Sequence, residues 1–484
     1  MPRAGVHGIL ARDCGADGAR TPRLSAAREG AQMRIRIPIL AAVAAVLLLA
    51  PAAPAPAVPP QFPHSWAPLT GGLRQIKDTL DTRAFCKGPS GTVYEVALGQ
   101  TPAYYAAVAR IRVSDGKVVR AWTYPGTPGA GVIPRAAASD GAGNLFVALE
   151  TISGRRDWVV VKYSPVGTRL WRRSYDSGNG QDTPYGMAVD RRGDVIVVGT
   201  SEAAGGYDAA VVKWSAGGAL RWKRVVSRPG LDLIEAVAVD ADGNVYAAGD
   251  RGESGGAGTA ILRSYTSGGK VRWTATAVSP AMPAWRHVVV RGKRVYVAGQ
   301  STGVPSTNAL MAMKYTTAGV RAWSDIRTLT FANGAWAESL AVDRAGAPVV
   351  AGVVYGIGVS GEDQGVVWKL TPAGGTAWHS EFEDVDFQFD GSFKAVGVDS
   401  VGRIYAAGGK YYSDQTANLL MVRYSAGGSA QAMWRSDGQQ SGYCAFTDLL
   451  VLSDSQVLAA GQVQGWVGGV NADACVYRAK TTGP

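Results

Sequence analysis

Residues 236–273 read AVAVDADGNVYAAGDRGESGGAGTAILRSYTSGGKVRW and contain the unit on which the chain is built. An apolar run ends at Asp240, a tight Ala-Asp-Gly-Asn turn follows, and a second apolar run occupies Val245–Gly249. A Gly/Ser loop leads to a third run, Thr259–Tyr265, and a Ser-Gly-Gly turn leads to a short run that ends at Trp273. Apolar, β-branched and aromatic residues at period two, separated by turns, predict four short antiparallel strands.

This unit recurs about eight times along the chain. Its first strand ends in Asp in most units, and its fourth strand ends in Trp at Trp122, Trp171, Trp222, Trp273, Trp323, Trp378 and Trp434, with spacings of 49 to 56 residues. Self-similarity at such a period is typical of propeller arrays. The sequence therefore predicts an all-β fold, a single β-propeller with eight four-stranded blades, or with seven if one terminal unit is degenerate.

The repeated residues have structural roles in this interpretation. Asp-x-x-Gly predicts a type I turn with glycine in the left-handed region, and the Asp side chain can bond the amides of the turn. The glycine that closes the second strand, Gly249 in the quoted unit, lets backbones approach or a strand bend. A tryptophan that follows a glycine by four residues, as Trp273 follows Gly269, can pack between one sheet and the next.

The two ends of the repeat array complement each other. The last unit, Cys444–Lys480, has three strands and no terminal Trp, whereas the segment HSWAPLTGG (64–72) stands before the first unit. We expect this segment to supply the missing outer strand and so to remove an open sheet edge. Cys444 and Cys475 begin the first and third strands of the last unit, which predicts a disulfide, with two separate core thiols as the alternative.

The N-terminal region has the pattern of an export signal. From Met33 the sequence has a basic start, an apolar core and small residues at Ala52 and Ala57, after which a signal peptidase could cleave. We expect a secreted, periplasmic or cell-surface protein with no transmembrane segment after cleavage. The domain assignment is untranslated or disordered residues 1–32, a signal peptide 33–57, a Pro/Ala-rich linker 58–65 and a β-propeller 66–484.

The net charge of +11 does not come from a basic cluster. The basic residues are scattered, often one per third strand, at Lys162, Lys213, Arg263, Lys314, Lys369, Arg423 and Arg478. This spacing indicates an exposed ring or a device at the blade edge rather than a groove for a polyanion. We therefore expect a monomer with a protein or carbohydrate partner and no nucleic-acid partner.

The most variable segments join the second and third strands of a unit, or one unit to the next. In a propeller both kinds of loop open on one face, the loop face, where function concentrates in repeat folds. The candidate ligand-binding residues there are Tyr355, Asp363, Tyr411, Tyr412, Trp466, Trp285 and Trp336. Tyrosine and tryptophan among small polar residues are typical of adaptable binding surfaces. The alternative is that these aromatic side chains fill gaps between blades.

No catalytic constellation stands out in the sequence. There is no His/Cys cluster with zinc spacing, and no G-x-S-x-G or P-loop pattern stands in the context that its chemistry requires. The acidic segment that contains Asp384, Asp386 and Asp390 loosely resembles a calcium loop, because clustered carboxylates suit a hard cation. Calcium is the one cofactor that the sequence suggests, and a solvated acidic loop is the alternative.

The repeat resembles the bacterial secreted β-propeller repeat (SBBP-type), whose core D-x-x-G-N-x-Y-x-x-G is matched by Asp240–Gly249. The resemblance covers about residues 84–484 and implies the propeller fold. The Gly-x-x-x-Trp element also resembles the tryptophan-docking motif of quinoprotein (PQQ-dependent) propellers. We expect a binding or scaffold module that meets a protein or glycan at the loop face. The alternative is an enzyme at the channel mouth, either a quinoprotein-like oxidoreductase or a polysaccharide hydrolase or lyase.

Overall fold

The computed structural model describes most of the region that the sequence assigns to the propeller. The described residues are 67–68, 79–100, 103–125, 131–152, 154–203, 206–226, 230–252, 258–279, 282–302, 308–328, 334–357, 362–382, 391–411, 416–435, 440–441, 444–464 and 472–480. The proposed signal peptide and linker lie outside these ranges. Within the described ranges there is no helix long and apolar enough to cross a membrane.

The described regular structure consists of β-strands, in agreement with the predicted all-β fold. The strands are β1 (Ala67–Pro68), β2 (Thr79–Lys87), β3 (Thr92–Gly99), β4 (Tyr105–Arg112), β5 (Val118–Tyr124), β6 (Val132–Ser139), β7 (Leu145–Thr151), β8 (Trp158–Tyr163), β9 (Arg169–Tyr175), β10 (Asp182–Val189), β11 (Val195–Ala203), β12 (Gly206–Trp214), β13 (Leu220–Val226), β14 (Gly230–Val239), β15 (Val245–Gly252), β16 (Gly258–Tyr265), β17 (Val271–Ser279), β18 (Met282–Arg291), β19 (Arg294–Thr302), β20 (Ala309–Thr316), β21 (Arg321–Thr328), β22 (Gly334–Val342), β23 (Pro348–Ile357), β24 (Glu362–Leu370), β25 (Thr376–Phe382), β26 (Gly391–Val398), β27 (Ile404–Tyr411), β28 (Thr416–Tyr424), β29 (Ala430–Arg435), β30 (Gln440–Ser441), β31 (Cys444–Ser453), β32 (Gln456–Gln464) and β33 (Ala472–Lys480).

The strands form antiparallel meanders that follow the sequence repeat. We number the repeat units 1 to 7 as β2–β5, β6–β9, β10–β13, β14–β17, β18–β21, β22–β25 and β26–β29, and unit 8 as β31–β33 with β1. The first strand of each unit contacts the first strands of the units on both sides, from β2 around to β31 and back to β2. These first strands therefore surround a central channel, and the fourth strands lie at the rim, which is the architecture of a single propeller.

The ring is closed by the N-terminal strand, as the sequence predicted. Ala67 and Pro68 of β1 pair antiparallel with Arg478 and Tyr477 of β33, so β1 is the outer strand of unit 8. Unit 1 packs directly on unit 8, where the Thr82 hydroxyl donates to the carbonyl oxygen of Gly461 at 2.9 Å. The two ends of the chain therefore share one sheet and leave no open edge at the seam.

Counted as hydrogen-bonded sheets, the described propeller has seven, which fits the seven-bladed alternative. One of these sheets contains eight strands, because units 3 and 4 are joined by a short parallel bridge. The bridge pairs Gly206 and Tyr207 of β12 with Gly230 and Leu231 of β14. Each of the two joined units is a four-stranded meander of its own.

The repeated tryptophans lock each unit to the next. Trp222 packs on Gly269 of the following unit so closely that a Cβ there would lie 2.6 Å from the indole. Its Nε1–H donates to the carbonyl oxygen of Ser267 at 2.9 Å. The equivalent donors Trp171, Trp273, Trp323 and Trp378 reach a carbonyl of the next unit at 3.0 to 3.1 Å. The predicted packing of tryptophan between sheets is confirmed, and it explains the Gly-x-x-x-Trp spacing.

Three lysines of the third strands, Lys162, Lys213 and Lys369, are buried, so these three do not form part of an exposed basic ring. Lys213 is 2% exposed, and its Nζ lies 2.7 Å from the Asp190 carboxylate in the turn of the same unit. Lys162 and Lys369 pair with the equivalent turn aspartates at 3.3 and 3.7 Å. These lysines also donate to a carbonyl oxygen of the next unit. They therefore act at the junction between units.

The sheet register does not support the predicted Cys444–Cys475 disulfide. Cys444 of β31 lies opposite Val463 of β32, and Cys475 of β33 lies opposite Gly461 on the other side of β32. The two cysteines are therefore separated by two interstrand spacings and by an offset of two residues along β32, about 12 Å between Cα atoms. A disulfide requires Cα atoms no more than about 7 Å apart. The sequence placed both residues at one end of the unit but could not show that β32 lies between them.

Candidate functional site

Each first strand carries a β-bulge at the same place, three to five residues after the strand begins. The residue left without a partner in the second strand is Arg83, Arg135, Tyr185, Glu235, Arg286, Glu338, Lys394 or Thr447 in units 1 to 8. We call these eight residues the bulge ring. Bulges direct a side chain away from the regular pleat and are enriched beside functional sites. Because the first strands surround the channel, the bulge ring encircles it near the loop face.

In units 3 to 8 a glycine of the second strand lies directly against the bulge. A Cβ on Gly249 would lie 1.9 Å from the carbonyl oxygen of Leu233, which the bulge pushes toward it. The equivalent glycines Gly199, Gly299, Gly352, Gly408 and Gly461 would place a Cβ 1.8 to 2.1 Å from a first-strand carbonyl. In units 1 and 2, Ala97 and Leu149 stand at the equivalent position. The close backbone contact predicted for these glycines is therefore confirmed, and the bulge is its cause.

Charges of opposite sign alternate through units 4 to 7 of the bulge ring. Arg286 donates to the Glu235 carboxylate, and the Nζ of Lys394 lies 2.6 Å from Oε1 of Glu338. The side chains of these four residues are 16% to 24% exposed. Burial lowers the pKa of Arg286, and the negative charge of Glu338 opposes this shift. Both carboxylates, Glu235 and Glu338, are thus neutralised by a cation in the neighbouring unit.

Exposed apolar side chains border the same part of the bulge ring. Trp336 is 42% exposed, and the Arg286 guanidinium lies 4.9 Å from the centre of its ring, a cation–π contact. Tyr185 in unit 3 is 38% exposed, and Met282 at the start of β18 is 48% exposed. We call the part of the bulge ring from unit 3 to unit 7, together with these exposed side chains, the arc. It offers charges of both signs beside accessible aromatic surface.

The other bulge-ring residues are engaged mainly with their neighbours in the fold. Arg135 pairs with the fully buried Glu150, which also binds Arg156 at 3.0 Å and accepts from the Thr183 hydroxyl at 3.3 Å. The Thr447 hydroxyl donates to the carbonyl oxygen of Thr82 at 3.0 Å across the seam. These contacts stabilise the junctions between units 2 and 3 and between units 8 and 1. Arg83 of unit 1 is exposed, so the ring is accessible there as well as at the arc.

His287 follows Arg286 in the first strand of unit 5. Burial lowers the pKa of His287 to about 4, with Arg286 as a smaller contribution, so the imidazole is neutral at pH 7. Its Nε2 lies 3.2 Å from the carbonyl oxygen of Ala337 in unit 6, a distance at which a protonated Nε2 donates. This histidine joins two first strands and is already engaged, so it is poorly placed to exchange protons with a ligand.

The predicted ligand-binding residues divide into three groups. Trp336 lies in the arc and is exposed, and Tyr355 is half-buried on the neighbouring strand of the same unit, opposite Gly334. Asp363 Oδ1 accepts a hydrogen bond from the Gly356 amide at 3.2 Å, so this carboxylate closes a hairpin. Trp285 is fully buried in the core between units 4 and 5, where it fills a gap between meanders. That outcome matches the alternative given for the aromatic residues.

The remaining predicted site residues cannot be compared with the fold. Tyr412, Trp466, Asp384, Asp386 and Asp390 lie outside the described residues, and only the backbone of Tyr411 is described.

The sequence does contain a signal for the bulge ring that was not used. From unit 2 to unit 7 the bulged residue stands five positions before the Asp, or the Arg291, that ends the first strand. A charged or aromatic residue recurs there in strands that are otherwise apolar or small. Periodicity alone did not identify these residues because a bulge breaks the two-residue alternation on which strand assignments depend.

Three carboxylates outside the arc form the described group that could hold a metal ion. Oxygens of Asp157, Asp176 and Asp182 lie within 4.8 Å of one another where unit 2 leads into unit 3. Burial, and then the charges of the other two, raise the pKa of Asp157, and burial also raises the pKa of Asp182. Asp182 accepts from the Ser177 and Glu202 amides at 2.6 and 3.1 Å. Oxygen clusters of this kind suit hard cations such as calcium.

Comparison with known proteins supports the fold and gives no family. No protein-family model and no curated protein sequence matches the chain. A quinohemoprotein alcohol dehydrogenase, ADHIIG, from Pseudomonas putida HK5 is similar in structure, with a TM-score of 0.54 and 12% identity over 83% of this chain and 74% of that chain. Sqt1 from Chaetomium thermophilum, in a complex with the N-terminus of ribosomal protein L10, has a TM-score of 0.50 and 12% identity over 79% of this chain and 94% of that chain.

These likenesses define the class of protein. The chain is a β-propeller, and its distant resemblance to quinoprotein propellers holds at the level of the fold. The narrower SBBP-type resemblance finds no support in a family match.

Proposed function

We propose that this propeller is a binding module that holds a protein segment at the arc of the bulge ring. The arc combines alternating charges on Glu235, Arg286, Glu338 and Lys394 with the exposed ring of Trp336. Rigid aromatic side chains supply contact area at low entropic cost, and complementary charges select the partner and its orientation. The matching ligand is an extended segment that carries both acidic and basic residues.

The pairing of the carboxylates favours recognition over catalysis. Acid–base chemistry with two carboxyl groups needs environments that push their pKa values apart, usually with at least one group unpaired. Here Glu235 and Glu338 each face a cation, Arg286 or Lys394, from the neighbouring unit. Among propellers of similar shape, Sqt1 is known in a complex with a protein N-terminus. That complex supports a peptide ligand at a propeller of this kind.

The proposal is tested by panning a phage-displayed library of random linear peptides against the immobilised protein. We expect enriched peptides with charges of both signs, whose binding weakens at high salt because the contacts are partly electrostatic. Trp336→Ala should weaken an enriched peptide at least tenfold, as loss of a central aromatic anchor does. Val401→Ala is the matched control, because Val401 is also exposed but lies in the turn between β26 and β27, at the other end of the strands.

Two results would contradict the proposal. One is a selection that yields no enriched peptide, and the other is an enriched peptide that binds Trp336→Ala and Val401→Ala equally well. A glycan array screened in parallel separates the carbohydrate alternative, since glycan binding lost in Trp336→Ala would assign the arc to a sugar instead.

We further propose that the two meanders of the largest sheet are separate blades, which gives eight. The bridge between them spans two residue pairs, whereas each meander has complete ladders and its own bulge. In a crystal structure, neighbouring blades should then be about 45° apart around the axis, rather than about 51° for seven.

We also propose that the protein acts outside the cytoplasm, on the strength of the basic, apolar and small-residue pattern in residues 33–57. The mass of the intact protein recovered from its native host tests this. A chain that starts at Ala53 or Val58 supports export, and one that keeps Met33 contradicts it.

A further inference from the structure

A cavity of about 640 Å³ lies under unit 1 at the turn end of the strands, away from the loop face. Its polar lining includes Arg110, Arg112, Ser90, Ser114 and Gln456, and Pro89 and Val113 supply apolar wall. Gln456 belongs to unit 8, so the cavity extends across the seam of the ring. Its volume is in the range of small-molecule sites in proteins.

At the seam, the described residue at one register position differs from that in unit 3. In unit 3, Lys213 of the third strand lies opposite Trp222 of the fourth, and this indole packs on the next unit. In unit 8 the equivalent partner of Arg478 is Ala67 of the N-terminal strand. Among the described residues, alanine therefore stands at the register position that tryptophan holds in unit 3.

Unit 1 lacks the carboxylate that neutralises the third-strand cation. Asp140 begins the turn of unit 2, and its backbone amide donates to the carbonyl oxygen of Asn144. In unit 1 the amide of Gly88 donates to the carbonyl oxygen of Thr92 in the same way, so Gly88 occupies the equivalent position. Arg110 stands where Lys162 stands in unit 2, since Tyr94 and Phe146 are their equivalent partners. Arg110 has no carboxylate within ion-pair distance among the described residues.

The Arg110 guanidinium is held in place by neutral groups. It donates through Nη1 to the carbonyl oxygen of Pro165 in unit 2, and its Nε is buried with no hydrogen-bond partner in the described part of the chain. Arg112, on the same strand and half exposed, pairs with Asp115 at 2.8 Å. The cavity wall therefore carries two guanidinium groups against one carboxylate, an excess of positive charge that favours an anion.

We infer that this cavity binds a sugar that carries a carboxylate, such as a uronic acid in an acidic glycan. Arginine is a preferred partner of a carboxylate, because its guanidinium donates charge-assisted hydrogen bonds and remains charged at all accessible pH values. The hydroxyls of Ser90 and Ser114 and the amide of Gln456 offer partners for sugar hydroxyls, and Pro89 offers surface for the C–H face of the ring. This site is separate from the arc and lies at the other end of the strands.

Isothermal titration of the full chain with trigalacturonate, with maltotriose as the neutral control, tests the inference. We expect saturable binding of trigalacturonate, no binding of maltotriose, and at least tenfold weaker trigalacturonate binding in Arg110→Gln. Arg321→Gln is the matched control, because Arg321 is an exposed arginine of β21 in unit 5. Arg112→Gln should weaken trigalacturonate binding by a smaller factor, and it serves as the deciding variant if Arg110→Gln fails to fold.

Three outcomes would overturn the inference. Equal binding of maltotriose would remove the role of the carboxylate. Binding that survives both arginine substitutions would place the sugar elsewhere. Inorganic phosphate that binds as tightly as trigalacturonate and displaces it would show a general anion site with no selectivity for sugars.

Discussion

Replacement of Lys213 by methionine should be among the most damaging substitutions at the junctions between units. Lys213 is 2% exposed, and its Nζ lies 2.7 Å from Asp190 and 3.6 Å from Asp194. Methionine keeps much of the volume but leaves two carboxylates, 7% and 5% exposed, without this cation. Breaking a buried pair in this way costs about 3–5 kcal/mol, because the remaining charge stays buried without compensation.

Lys314 is the matched control for this prediction because it occupies the same position in unit 5. Arg291 stands there in place of the turn aspartate, and the Nζ of Lys314 donates only to the Pro372 carbonyl oxygen, at 2.9 Å, among the described contacts. Lys314→Met therefore removes one hydrogen bond and leaves no buried charge behind. The expected cost is about 1 kcal/mol.

The assay is urea unfolding at pH 7, followed by tryptophan fluorescence, for the wild type, both methionine variants and the double variant Lys213→Met/Asp190→Asn. The double variant should recover part of the loss in Lys213→Met, since it removes the charge that the lysine balanced. Equal free energies of unfolding for Lys213→Met and Lys314→Met would refute the reasoning, because the two sites differ mainly in the carboxylates.

Three further predictions concern other parts of the propeller. Gly319→Ala should destabilise the fold by about 2 kcal/mol or more and shift the emission of Trp273 to the red, because a Cβ there would lie 2.7 Å from the indole. Gly292→Ala is the control, because Gly292 has the same left-handed backbone with nothing within 4 Å of a Cβ. It should cost about 1 kcal/mol in the same unfolding assay. Burial raises the pKa of Asp448 to about 6, above about 3.9 in the unfolded chain, so the free energy of unfolding falls by at most about 3 kcal/mol as pH rises from 4 to 6. Asp448→Asn should remove that fall in denaturant titrations between pH 4 and pH 6. An unchanged pH profile in the variant would contradict the prediction. Burial and two neighbouring carboxylates raise the pKa of Asp157. Asp157→Asn should therefore stabilise the protein by about 1 kcal/mol at pH 7 in a chelating buffer, with the gain lost at acidic pH. A lower melting temperature of the variant at pH 7 would refute the repulsion between these carboxylates.

The fold could be predicted from the sequence because its signals are local and repeated. Asp240 and Gly243 specify a turn through bonds within five residues, and the structure shows the Asp240 carboxylate bonding the Asp242 and Asn244 amides at 2.9 Å. Trp273 and Gly319 are 46 residues apart, yet their contact was predictable because the same pair of residue types recurs in the units on either side. Repetition thus converts a long-range contact into a pattern that one sequence displays.

Features that occur once, or that depend on the order of strands within a unit, could not be predicted in this way. The sequence shows where the lysines lie along the third strands but not how deeply their side chains are buried. Their burial depends on the turn aspartate and on the next unit together. The cysteines of unit 8 share one end of the meander, but the strand between them decides the distance. Both errors concern how strands pack across a unit, which the spacing of residues along one strand does not show.

The bulge ring shows how the same repeat produces both the scaffold and the site. In most units a glycine near the end of the second strand faces the carbonyl group that the bulge displaces. This part of the repeat is therefore constrained by the same close contact in those units. The bulged side chain itself is left out of the ladder and does not enter the sheet core, so it is free to differ from unit to unit. Eight positions fixed in space but variable in chemistry then surround one channel. Under the proposed function, the alternation of Glu235, Arg286, Glu338 and Lys394 in successive units would fix the orientation of the bound segment, because electrostatic complementarity fixes register as well as affinity.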